Sequence, residues 1–250
     1  MSRIFKLSTP KRNTTLRNEE RLFEKEAKKI EELEETCRKL YKDAKKCSDS
    51  AAALCKCERR ITQDLLASSL CQSEEQLLRH VEEWDSSIVK LDLHLQEMNS
   101  NIQKTMIEPV KKFNMIFPSL HTAKKKREQS LEEYEKWEAK VKKYQERDRT
   151  GNNIVKLHQS RKSLQPAKEE FYEQHYILME DMPKLYDCRI DYFQPCLEAL
   201  IKSQVTYNSE AYKIYSELAG QLIQENLTAE NYAGLIQQKL QDIKGLSIVD

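Results

Sequence analysis

Cysteine and lysine are the residue types in this chain whose numbers and spacing could do chemistry. The seven cysteines stand at 37, 47, 55, 57, 71, 188 and 196. Cys55-Lys56-Cys57 is the tightest pair, and a structural zinc site would need a second pair or two histidines at matching spacing. No second pair lies near it, and the five histidines (80, 94, 121, 158 and 175) are scattered. The odd count and irregular spacing do not form a disulfide framework. These thiols are expected to act as small apolar side chains in a reducing cytoplasm, with no metal bound. There is no phosphate-binding glycine loop and no nucleophile elbow. With 33% charged residues, neighbouring carboxylates arise by chance. Neither catalysis nor a cofactor is expected.

Lysine carries the stronger signal, because charge is segregated along the chain. The net charge is only +1. Residues 1–18 carry +5, residues 19–103 carry −5 and residues 163–250 carry −7. Residues 104–162 hold 16 basic and 8 acidic side chains, a net +8. Within that stretch stand Lys111, Lys112, Lys124, Lys125, Lys126, Arg127, Lys136, Lys140, Lys142, Lys143, Arg147, Arg149 and Lys156, with Arg161 and Lys162 beyond. A solvated helix face ordinarily mixes signs, so a cluster of one sign points to an anionic partner. An anionic phospholipid membrane fits: each Lys or Arg near such a surface contributes about 1 kcal/mol. Nucleic acid does not, because Phe113, Phe117, Tyr134, Trp137 and Tyr144 mostly occupy helix-seam positions and no nucleic-acid-binding motif is present.

The elements that must position these lysines are long helices. Four glycines and six prolines in 250 residues allow few turns. A heptad stripe begins near residue 19 and runs through Ile30, Leu33, Cys37, Leu40, Ala44, Cys47, Ala51 and Leu54. Glu58 interrupts it, and Ile61 and Leu65 resume. Such a stripe, kept beyond three heptads, marks a helix packed lengthwise on another. Helix one is read at about 19–67. A break follows, where Ser73 and Gln76 could form a capping box. Helix two, about 73–147, carries Leu77, Val81, Trp84, Ile88, Leu91, Leu95, Met98 and Ile102, then Phe113, Ile116, Leu120, Ala123, Leu131, Tyr134, Val141 and Tyr144. Pro109 and Pro118 keep the seam's phase, so one bent helix is expected. The turn Arg147–Asn153 leads to helix three, about 154–221, with Leu157, Leu164, Phe171, Leu178 and Leu185 at sevens. Its stripe continues through Tyr192, Phe193, Leu197, Leu200, Gln204, Tyr207, Ala211, Ile214 and Leu218. Residues 1–18 read as a basic arm, and 226–250 as a short helix and tail.

Helix one, at about 48 residues, cannot cover helices two and three along their whole length of roughly 75 residues, about 110 Å at 1.5 Å per residue. The bundle should be three helices thick at one end and two at the end near Gly151. The thick end has more apolar stripe than one chain can bury, so a homodimer is expected there. Ile30, Leu33, Cys37, Leu40, Leu54, Val81, Trp84, Leu91, Leu200 and Tyr207 are the expected dimer and core seam.

Three segments resemble the BAR-domain family, in its bridging-integrator branch. Ile107-Glu-Pro-Val-Lys-Lys-Phe113, with Phe117-Pro-Ser-Leu120, is similar to that family's bend in helix two. Lys124-Lys-Lys-Arg-Glu128 resembles the basic segment after it, and Arg189-Ile-Asp-Tyr-Phe-Gln-Pro195 the helix-three signature. The resemblance covers essentially the whole chain. It implies an all-α fold of three long kinked antiparallel helices, a crescent homodimer, and binding to curved anionic membrane. It also implies roles in endocytosis, actin organisation and cytokinesis, in the cytoplasm at membrane and cytoskeleton. On it, Lys124, Lys125, Lys126 and Arg127 lie toward the concave face, and Lys136, Lys140, Lys142, Lys143, Arg147 and Arg149 line the arm and tip. Two departures stand out. Ile4, Phe5 and Leu7 are cut short by Pro10, which argues against a lipid-inserting N-terminal wedge. The chain also reaches Asp250 without the SH3 domain many relatives carry, so recruitment through one is not expected. A competing expectation is a protein scaffold of the same fold that binds cytoskeletal regulators or small GTPases without touching membrane.

Overall fold

A computed structural model describes residues 14–222 and 228–246, with side chains from residue 16 onward. The chain is all-helical over these residues. Helix α1 spans Thr14–Ala67, α2 Ser69–Gln72 and α3 Glu75–Ile102. A π-helical segment, Gln103–Ile107, leads into α4, Glu108–Asn114. Then come α5, Phe117–Gln145, α6, Gly151–Leu222, and α7, Ala229–Lys244. Helix α1 begins earlier than its apolar stripe, so Thr14–Asn18 of the expected basic arm are helical. Arg3, Lys6, Pro10 and the rest of that arm lie outside the described residues.

Ahead of Pro109 and Pro118 the helical hydrogen-bond ladder changes its pitch. Proline has no N–H, and its ring crowds the carbonyl four residues back. Before Pro109 the ladder widens into the π-helical segment. Before Pro118 it tightens instead: Met115 N donates to the Lys112 carbonyl and Ile116 N to that of Phe113. The backbone stays in the right-handed helical region at both Met115 and Ile116. What reads as a single second helix is therefore three helices and a π segment. Helix α6 runs unbroken through Pro166, Pro183 and Pro195. Near Ala67 the expected capping box does not define α3: the Ser73 hydroxyl is directed back to the Ser69 carbonyl, 3.1 Å away.

Two units make up the chain. The first comprises residues 1–48 and 100–202, the second 49–99 and 203–250. In the first unit the early part of α1 runs antiparallel to α4–α5 and parallel to α6. The order of contacts shows this: Glu34 meets His121, Glu31 meets Lys124 and Glu20 meets Arg127, while along α6 Glu19 meets Tyr172, Phe23 meets His175 and Lys29 lies over Tyr186. One core holds Phe23, Ala27, Ile30, Leu33, Cys37, Phe113, Phe117, Leu178 and Met182. A second holds Leu16, Leu131, Tyr134 and Phe171. Toward the hairpin between α5 and α6, Val141 is buried and Leu157 half-buried.

In the second unit α1 and α3 are antiparallel: Cys55 Sγ lies 3.7 Å from the Asp92 carboxylate, and the Thr62 hydroxyl donates to Asp85. Along α1 the expected heptad drifts. An α-helix has 3.6 residues per turn, so a stripe of period 3.5 slides round it by about 20° per heptad. Ala44, Ala51 and Glu58 stay half-buried, but the alternate positions move by one residue to Ser48, Cys55 and Thr62. Cys47, Leu54 and Ile61, placed in the seam by the sequence reading, are exposed instead. Of the other expected seam residues across both units, Ile30, Leu33, Cys37, Val81 and Leu91 are buried; Leu40, Trp84, Leu200 and Tyr207 are half-buried. Leu77, Ile116, Tyr192 and Leu197 are exposed, unlike their reading as seam.

Candidate functional site

Helix α5 is fixed by the side chains it buries. Phe117, Arg127, Leu131, Tyr134 and Val141 recur at helical spacing and face the bundle. Lys125, Lys136, Lys140 and Lys143 follow one another at intervals of eleven, four and three residues, close to whole numbers of turns. They therefore share one face, opposite the buried set. The connection to α6 adds Arg147 and Arg149 at the hairpin end. Thr150 closes that connection as the helix cap: the Asn153 amide donates to its hydroxyl at 3.4 Å and the Ile154 amide to its carbonyl at 3.0 Å.

The basic side chains differ in how far they are already neutralised. Lys124 is largely covered and pairs with Glu31 at 2.6 Å. Lys126 pairs with Glu170 at 3.2 Å, Lys136 with Glu133 at 2.8 Å, and Lys111 stands 4.0 Å from Glu108. Lys140 sits over the Trp137 ring, 3.9 Å from its centre. Lys112, Lys125, Lys142, Lys143, Arg147, Arg149 and Lys156 are exposed and make no ion pair among the described residues. The unneutralised charge thus concentrates toward the hairpin between α5 and α6.

Arg127 is a correction to the expected surface set. It is 2% exposed, packed at the centre of the first unit. Its guanidinium donates from Nη1 and Nη2 to the two carboxylate oxygens of Glu20, and Nη2 lies 3.2 Å from His175 Nδ1. It also lies over the rings of Phe23 and Phe171, at 4.0 and 5.0 Å. Arginine suits such a place because its planar fork matches a carboxylate and stacks on aromatics. The sequence did hold the signal. The stripe skips from Ala123 to Leu131, and the position that fills the gap is 127.

His175 is nearly enclosed by this cluster. Burial first, and the Arg127 charge second, push its pKa below 6.5, while Glu19 and Glu20 pull the other way. Facing a donor, Nδ1 must accept, so the ring is neutral. Lowering the pH through about 6.5 therefore protonates this ring in the unfolded chain before the folded one. The stability present above pH 6.5 should decline as pH falls from there toward the lowered value. His175→Gln, which keeps an acceptor but cannot titrate, should flatten that part of a thermal-midpoint-against-pH curve. An unchanged slope would contradict the assignment.

The buried thiols are chemically quiet. Burial raises Cys37 to about 11, helped by Glu34, and Cys55 to about 11, helped by Asp92. Thiolates are the reactive form, so these side chains pack rather than react. Among the described residues no three His, Cys, Asp or Glu side chains group as metal ligands. No described helix is long and apolar enough to cross a membrane.

Antiparallel helices with apolar seams and a cationic outer face on α5 define a coiled-coil bundle with an exposed basic surface. The chain belongs to the BAR domain family, whose model matches residues 1–224. It is 43% identical over 245 residues to human Bridging integrator 3, covering 98% of this chain and 97% of that one. It is 29% identical over 176 residues to the Candida albicans protein named Regulator of cytoskeleton and endocytosis RVS161, covering 68% of this chain and 63% of that one. Among solved structures, the amphiphysin BAR domain from Drosophila matches with a TM-score of 0.67 at 18% identity. That match covers 86% of this chain and 94% of the other, and bears on the fold alone.

Proposed function

We propose that this chain is a non-enzymatic homodimer that binds anionic membrane and senses or forms its curvature, in the service of actin organisation during endocytosis or cytokinesis. The observation that carries this reading is the lysine face of α5 and the hairpin beyond it, exposed and largely without carboxylate partners. Membership of the BAR domain family supports it, and the printed name of the Candida relative supports the cytoskeletal and endocytic setting. The protein then works in the cytoplasm, peripheral to membrane and cytoskeleton. The membrane-facing set is Lys111, Lys112, Lys125, Lys136, Lys140, Lys142, Lys143, Arg147, Arg149 and Lys156, with Lys124 and Lys126 secondary because Glu31 and Glu170 already hold them.

Co-sedimentation with phosphatidylserine vesicles tests this. Lys142→Glu/Lys143→Glu should weaken binding by roughly 30-fold or more, since each lysine contributes about 1 kcal/mol and the new charges repel. Lys124→Glu/Lys126→Glu should weaken it less. Equal pelleting of the Lys142/Lys143 variant and the wild type would sink the electrostatic reading.

An exposed stripe on α1 supports the dimer. Cys47, at the end of the first unit, and Leu54 and Ile61, in the second, stand at seven-residue intervals on the side of α1 that its own chain leaves open. Leu54 is 62% and Ile61 50% exposed. Leu70, Leu93, Val205 and Tyr212 add exposed apolar surface in the same unit. A stripe at heptad spacing with larger apolar side chains outside than inside is built for a second helix.

A further inference from the structure

Met115 is 70% exposed, at the break between α4 and α5, and Ile116 beside it is 42% exposed. One turn earlier on the same outer face stand Lys111 and Lys112, both exposed. Counting on from Met115 by helical steps of three and four reaches Thr122, Lys125, Gln129, Lys136, Lys140 and Lys143 in turn. The phase survives the break because the backbone remains right-handed helical across it. Met115 is thus a large apolar side chain set within the cationic stripe, at the tightened turn that precedes Pro118.

We propose that Met115, with Ile116, is an insertion point that enters the apolar boundary of an anionic bilayer while the flanking lysines hold the headgroups. The proposal rests on the membrane reading above and goes beyond it by adding a contribution that salt does not screen. Charge complementarity selects the occupant. Among the described residues Lys112 pairs with no carboxylate, and Glu108 is already engaged by Gln103 at 2.8 Å and by Lys111 at 4.0 Å. A protein partner with an apolar knob would leave those lysines unmatched; phosphatidylserine meets both needs at once. The insertion differs from a wedge helix in being a local protrusion from a folded bundle. Phe113 and Phe117, on either side, are buried and pack edge to face with ring centres 5.7 Å apart.

The test is binding of the full chain to phosphatidylserine vesicles at about 0.15 M and about 0.5 M salt, where the Debye length drops to a few ångströms. Met115→Ser/Ile116→Ser should bind about tenfold more weakly than wild type, a loss of about 1.4 kcal/mol. The deficit should persist at the higher salt, and Met115→Leu should restore binding when paired with native Ile116. Wild-type binding by the serine variant would overturn insertion and leave the membrane reading standing. Failure of the wild type itself to bind would overturn both. Sedimentation completes the set: loss of self-association in the serine variant would assign these side chains to a protein contact and overturn the proposal.

Discussion

Arg127→Ala should lower the unfolding free energy of the chain by about 3–5 kcal/mol, because it leaves a buried carboxylate without its cation. Glu20 is 9% exposed and has both oxygens on the Arg127 guanidinium. Removing the guanidinium also empties the space over Phe23 and Phe171, which it covers at 4.0 and 5.0 Å. The loss should therefore exceed that of any exposed lysine of the same helix, where substitutions change stability by about 0.5 kcal/mol or less. Replacing both partners, Arg127→Met with Glu20→Leu, should recover most of it, since a buried ion pair often equals well-packed apolar side chains of similar volume. Urea unfolding followed by helicity measures all three. A single variant as stable as the wild type would show that Glu20 finds water. A double variant no better than the single one would show that stacking, rather than charge, dominates.

Leu54→Glu/Ile61→Glu should convert the protein from dimer to monomer without loss of helix. Both side chains are exposed in the single chain, so the substitutions cost little within it. In a dimer that covers this stripe, each glutamate would be taken out of water without a partner, at a cost of several kcal/mol apiece. The dimer dissociation constant should rise by at least a thousandfold, moving sedimentation at micromolar concentration to the monomer mass. The circular dichroism spectrum should stay that of the wild type. Two results would count against the interface: a variant that still sediments as a dimer, or a wild type that is monomeric throughout.

Much of the fold was legible because long helices write themselves in a sequence. Scarce glycine, heptad stripes and one strong turn place α1, the hairpin between α5 and α6, and α6 to within a few residues. The family resemblance rests on segments that include both prolines of the expected second helix, Pro109 and Pro118. What was less legible follows from geometry that a period of 3.5 does not carry. Drift moved the inner seam of α1 from Leu54 and Ile61 to Cys55 and Thr62, residues that look less apolar than the neighbours they displaced. Composition likewise assigned Arg127 to the surface with the three lysines before it. Its position in the stripe, which decides burial, carried more information than its charge. The lysine face itself was readable as a cluster, but not as a gradient. Which cations are already held depends on Glu31 and Glu170, which come from other helices, 93 and 44 residues away in the sequence.

The two polar contacts between α1 and α3 bear on how these helices choose their alignment. Cys55 meets Asp92 and Thr62 meets Asp85, so the pairs are a heptad apart on both helices. Leucines at these positions would pack nearly as well after a slip of seven residues, since the apolar pattern repeats. The polar pairs would not. After one such slip Thr62 would face Asp92, while Asp85 and Cys55 would each lose their match. Polar seam positions of this kind trade some stability for a single register. In a chain with so few turns to pin its helices, two modest contacts favour one alignment among several nearly equivalent ones.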